Sequence, residues 1–169
     1  MQPDERGDEA SDVAGAMTPL HEDQVHVLRL RAALVAALIV IGAFVLDMAF
    51  AGETPVPRYA VPGAVLVVAL AAILILPRRR YRAWGYNEGE DELAIRRGVW
   101  TRVRTVVPFG RVQHIDIAQG PIERRFDLAT LILHTAGTRG AAVPLPGLKH
   151  DLAEAMRDRI RAKIRQDLV

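Results

Sequence analysis

The chain has no cysteine among its 169 residues. Disulfides, thiolate catalysis and cysteine-bound zinc are therefore excluded. Serine is nearly absent too. Ser11 stands alone in an acidic stretch near the start that reads as disordered tail. Aromatic residues make up 5% of the chain, too few to interleave with basic residues as a stacking platform, so nucleic acid is not an expected partner. Lysine occurs only as Lys149 and Lys163, and the positive charge is carried by arginine. Gly89, Gly98, Gly110, Gly120, Gly137 and Gly140 are single turn residues and form no phosphate-cradling loop.

Long apolar runs, by contrast, are present. Ala32 to Leu46 has fifteen residues without a polar side chain, and Ala60 to Leu76 has seventeen, interrupted only by Pro62 and Gly63. A bilayer core of ~30 Å needs ~20 residues of helix. The first run reaches that length as residues 30–50, with Asp47 near its outer end. The second covers 60–76, with Tyr59 as an interfacial anchor and Pro62 in its first turn. Gly52 to Pro57 is a short connection between them. The pattern is that of a transmembrane hairpin over residues 25–77. Ala49-Phe50-Ala51 has the small-x-small form of a cleavage site. A signal peptide, however, opens with a short basic segment, whereas 28 acid-rich residues precede this run, so cleavage is not expected.

Charge sets the orientation. Arg78, Arg79, Arg80 and Arg82 follow the second run, Arg29 and Arg31 precede the first, and the connection carries only Arg58. Basic residues stay inside. The expectation is a multi-pass protein of the inner, cytoplasmic membrane with both termini in the cytoplasm. The four exit arginines contact the anionic membrane surface at up to ~1 kcal/mol each. Residues 1–28 carry Asp4, Glu5, Asp8, Glu9, Asp12, Glu22 and Asp23 against Arg6 alone. Residues 1–24 thus read as a disordered acidic cytoplasmic tail.

Beyond residue 81 the periodicity changes to short alternating runs. Strands are expected at 82–86, 92–97, 100–107, 111–118, 129–135 and 141–145, the last at an edge because of Pro144. A helical turn falls within 122–128. Asp151 and Glu154 suit a helix start, and Leu148, Leu152, Ala155, Met156, Ile160 and Ile164 form one apolar stripe. The fold class is therefore α+β: a two-helix hairpin, then a small, partly open β-barrel over 81–169 with one end plugged by a C-terminal helix.

Few residues in this region offer chemistry. His21 and His26 miss helical ligand spacing. His114 and His134 fall on neighbouring or nearby strands and could share a face with Asp116. Two histidines and a carboxylate can bind a metal, but such residues are more often ordinary strand surface. No metal site, cofactor or catalytic residue is expected.

Four segments carry a resemblance. Ile95 to Arg102, Val106 to Ile115, Gln119 to Phe126 and Leu131 to Thr138 closely resemble the bacterial pleckstrin-homology family of the YdbS type, as does the order of two membrane helices followed by this domain. The resemblance spans roughly residues 25–165. It departs at Asp127, where the family more often has Gly, a residue suited to positive φ.

The resemblance implies a binding or scaffolding platform and no enzymatic reaction. Fold alone supplies no function. The expectation is a membrane-anchored, cytoplasm-facing scaffold for protein–protein interaction. Its partner would be another membrane protein or a second copy, and Ile122, Arg124, Arg125 and Phe126 form the candidate contact. The alternatives are an anionic-lipid headgroup sensor using Arg96, Arg97, Arg102 and Arg104, or an accessory subunit of a transporter or membrane enzyme. In eukaryotic relatives a basic first hairpin grips phosphoinositide headgroups.

Overall fold

The computed structural model describes residues 17–50, 57–136 and 142–166. The chain divides into two compact units. One spans residues 22–81, and the other joins residues up to 21 with 82–169.

The first unit is helical. Helix α1 runs Gln24–Ala49 and helix α2 runs Ala60–Arg82. Both are longer than their apolar runs. Alpha-helix continues through Pro77 into the arginines, which are good helix formers; the proline removes a single N–H. Pro62 lies in the first turn, where its missing N–H would have had no intrahelical partner. Neither helix has a polar face. Leu34, Val35, Leu38, Ile39, Ile41 and Val45 are exposed on α1, the side of α1 away from them carries only apolar residues such as Ala33, Ala36 and Val40, and Val67 and Val68 are exposed on α2. A helix packed on a water-soluble core would instead carry its apolar residues on one stripe.

The connection expected at 52–57 lies outside the described residues as far as position 56. At its end, Tyr59 adopts a positive φ of 65°. Its backbone N–H donates to Asp47 Oδ2 at 3.3 Å, and its ring stacks on Phe44 at 6.1 Å. Asp47 thus sits at the helix end with a backbone donor.

The second unit contains six strands: β1 Gly85–Glu88, β2 Glu92–Arg97, β3 Val103–Pro108, β4 Val112–Ala118, β5 Leu128–Thr135 and β6 Ala142–Lys149. A 3-10 turn, Phe109–Arg111, precedes β4, and the short helix α3, Pro121–Arg125, precedes β5. Helix α4, His150–Gln166, closes the domain. The strands form two antiparallel three-stranded sheets, β1-β2-β3 and β4-β5-β6. No ladder joins the sheets among the described residues, so the α+β class holds while a closed barrel does not appear.

Boundaries also shift. Residue 82 ends a helix rather than starting a strand, and residues 99–102 form a turn ahead of β3. Strand β6 extends to Lys149 and takes Leu148 out of the helical stripe. It is an edge strand, as Pro144 requires. The buried stripe of α4 is Ala153, Met156 and Ile160, while Leu152 and Ala155 are exposed.

Helix α4 packs on the second sheet and the 3-10 turn. Phe109, Leu93, Ile95, Leu131, Leu133, Leu145 and Leu148 are among the other core residues. Each is worth roughly 1.5–3 kcal/mol of burial.

The acidic tail expected at 1–24 lies outside the described residues up to position 16. Its later residues join the fold. Thr18 and Tyr86 exchange two backbone hydrogen bonds at 2.7 and 3.0 Å, Leu20 is buried, and the His21 N–H donates to Gly147 O at 2.9 Å.

Candidate functional site

Three constellations emerge on the domain. The first is the β2–β3 hairpin. Gly98 turns the chain with φ of 107°, and a Cβ there would run into the Thr101 carbonyl. Arg96 and Arg104 lie directly opposite each other in the ladder, and both are exposed. Like charges placed so destabilise a sheet. Arg97 alternates to the other face, and Arg102 belongs to the turn. The four arginines therefore surround the hairpin rather than share one face. At its tip Trp100 is 93% exposed beside the exposed Val99. The sequence reading missed Trp100. An indole amid arginines at a strand-to-strand turn was the available signal.

The second is α3. Pro121 opens it at a position where a missing N–H is harmless. Arg124 and Arg125 project into solvent, whereas Ile122 and Phe126 are half-buried. The basic half of the expected contact is thus fully available and the apolar half partly so. Lys149 Nζ donates to Phe126 O and Gln119 Nε2 to Leu128 O, both at 3.0 Å, which fixes the segment on the sheet.

The third lies on the outer face of the second sheet. His114 pairs with His134 across β4 and β5, and Asp116 follows two residues on. The imidazoles stack at 4.0 Å with 12° between planes. Asp116 Oδ2 is 3.1 Å from His134 Nε2 and 3.8 Å from His114 Nε2. The sequence allowed these residues a shared face, with ordinary strand surface as the commoner case; the register brings them together.

Arg78, Arg79, Arg80 and Arg82 occupy the last turns of α2, all exposed. Arg31 and Arg80 line the same open groove between α1 and α2, so the basic residues of the two helices meet at one end of the pair. Ala32, Ala36, Ala64 and Ala69 form part of its wall.

A family model described as a bacterial PH domain matches residues 27–164. The chain is also 35% identical over 142 residues to the UPF0699 transmembrane protein YdbS of Bacillus subtilis (strain 168), covering 82% of this chain and 86% of that protein. No solved structure matches significantly.

Proposed function

The chain belongs to the bacterial PH domain family, and on that premise we propose that it is a membrane-anchored binding module. In this reading a helical hairpin holds the domain against the cytoplasmic face of the inner membrane, where it serves as a scaffold for a protein partner. The observation that carries this is the apolar surface on every side of α1 and α2, with Leu38 72% and Val67 67% exposed. Hydrocarbon is the solvent that suits such helices. The name of the relative, a transmembrane protein, supports the same reading.

Arginines at one end of the helix pair favour cytoplasmic termini. The alanine-lined groove suits close approach by a partner's transmembrane helix, because small residues let backbones pack closely. The exposed Arg124 and Arg125 provide a second, polar contact in the cytoplasm.

The absence of cysteine makes a test simple. An impermeant maleimide added to right-side-out vesicles should label the Arg58→Cys variant and leave Arg165→Cys unlabelled until detergent is added. The reverse pattern refutes the orientation. Crosslinking in cells should recover a protein partner or a second copy, and reversing charge at Arg124 and Arg125 should reduce that recovery several-fold. Unchanged recovery removes α3 as the contact.

A second reading is favoured by one observation, the exposed Trp100 within its ring of arginines. Trp prefers the bilayer interface and arginine the anionic headgroups, so this hairpin suits a lipid surface.

A further inference from the structure

We infer that His114, Asp116 and His134 form a binding site for a divalent first-row transition-metal ion such as zinc. Strand register is the first support. At the start of the β4–β5 ladder Val112 opposes Thr135, yet His114 opposes His134, so Gln113 is an extra residue in a β-bulge. Without it His114 would face Leu133, whose side chain is fully buried. The bulge turns Ile115 inward, leaves His114 and Asp116 outward, and aligns His114 with His134. Bulges commonly re-aim a side chain next to a functional site.

Distance is the second support. The donor atoms of the three residues lie within 4.8 Å of one another. Two donors bound tetrahedrally at about 2.0–2.1 Å stand roughly 3.3 Å apart. The two Nε2···Oδ2 separations, 3.1 and 3.8 Å, bracket that value. His134 Nε2 is also sequestered from solvent and makes no hydrogen bond, although Asp116 Oδ2 lies 3.1 Å away. A cation beside Asp116 would engage His134 Nε2, and the exposed His114 ring completes the set by turning out of its stack on His134.

The donor set selects the ion. Two imidazoles and one carboxylate suit zinc and its neighbours rather than calcium or magnesium. Three protein ligands leave a position open to water or another molecule. Arg161 and Arg165 line an open groove with His114. Their charge opposes a bound dication and weakens its binding.

The test uses the full chain in detergent micelles, purified without a histidine tag and stripped of metal with EDTA. Cobalt(II) should bind at one equivalent with visible d–d absorption, and zinc should displace it. Loss of an outer-shell partner alone weakens metal sites roughly 10–100-fold, so His114→Ala, Asp116→Asn and His134→Ala should each weaken binding at least ten-fold. His150→Gln should leave it unchanged. In the unaltered protein, zinc should protect His114 and His134, but not His150, from diethyl pyrocarbonate; this readout does not depend on any variant folding. Absence of saturable binding, affinities unaffected by the three substitutions, or lack of selective protection would overturn the site.

Discussion

Arg159 and Glu88 meet through two parallel hydrogen bonds, Nε to Oε1 at 3.0 Å and a terminal nitrogen to Oε2 at 2.7 Å. The pair joins helix α4 to β1 of the first sheet, although α4 packs on the second sheet. Nearby, Lys163 Nζ donates to Gly89 O at 2.8 Å and lies 5.1 Å from the centre of the Phe109 ring. One face of a single helix thus holds both sheets. Arg159→Ala should lower stability by about 1 kcal/mol, because the fork is bidentate but half-exposed. Arg159→Lys keeps the charge and loses the fork, so it should recover only part of that. Thermal melts of the protein in micelles, read by circular dichroism in the strand region, measure both.

The same corner of the domain predicts an alkaline response. Burial raises the Tyr86 phenol above its ordinary value of 10.0, Glu88 adds to the shift, and Arg159 partly opposes it. The unfolded chain therefore releases this proton at a lower pH than the folded one. The contribution of the neutral phenol is fully present and independent of pH below pH ~10, and it is lost as pH rises from there through the folded value. Tyr86→Phe removes this dependence. The melting-temperature difference between wild type and variant should stay constant below pH ~10 and move in favour of Phe above it. A difference that stays flat to pH 11.5 would contradict the prediction.

The exposed indole makes the lipid reading measurable. In a Trp84→Phe background, Trp100 is the remaining tryptophan, so its emission reports the hairpin tip alone. In nanodiscs containing anionic lipid the emission should shift to the blue relative to neutral nanodiscs. Replacing Arg96 and Arg104 with Gln should abolish the shift. Identical spectra in the two lipids would leave the hairpin without a lipid role.

What the sequence revealed, and what it hid, follows from the range of the interactions involved. The helices were legible because run length alone decides them, although the charged ends of α2 extended beyond the apolar run. The strand at 92–97 was legible as a short apolar run that Gly98 ends with a reversal. The two-sheet arrangement was not, since strand count does not say which edges pair. Thr18 contributes to the first sheet through backbone atoms alone, and no side-chain pattern announces that. The cluster of His114, Asp116 and His134 depends on one inserted residue, Gln113. A one-residue change of register exchanges the faces of a strand, so the shared face of two distant histidines could be suggested but not fixed.

Asp127 offers the last test, because a sequence anomaly coincides there with an observed strain. The family resemblance led to an expectation of Gly, and the residue has φ of 53°, in the left-handed region. It follows Phe126, the C-cap of α3, and its N–H donates to Arg124 O at 3.2 Å while its carbonyl accepts from the His150 N–H at 3.1 Å. The turn therefore needs this backbone shape whichever side chain is present. Glycine adopts it without a Cβ penalty, and aspartate does so at a cost below that of most residues. Asp127→Gly should raise stability by about 0.5–1 kcal/mol despite the added freedom of the unfolded chain. Asp127→Val, which is β-branched, should lower it by about 1–2 kcal/mol. Gly98→Ala, in the opposite sense, forces a Cβ onto the Thr101 carbonyl and should cost about 1–3 kcal/mol. Calorimetry on the three variants should give that order. An Asp127→Gly protein that melts below wild type would mean that the aspartate side chain, rather than the backbone shape, holds the turn.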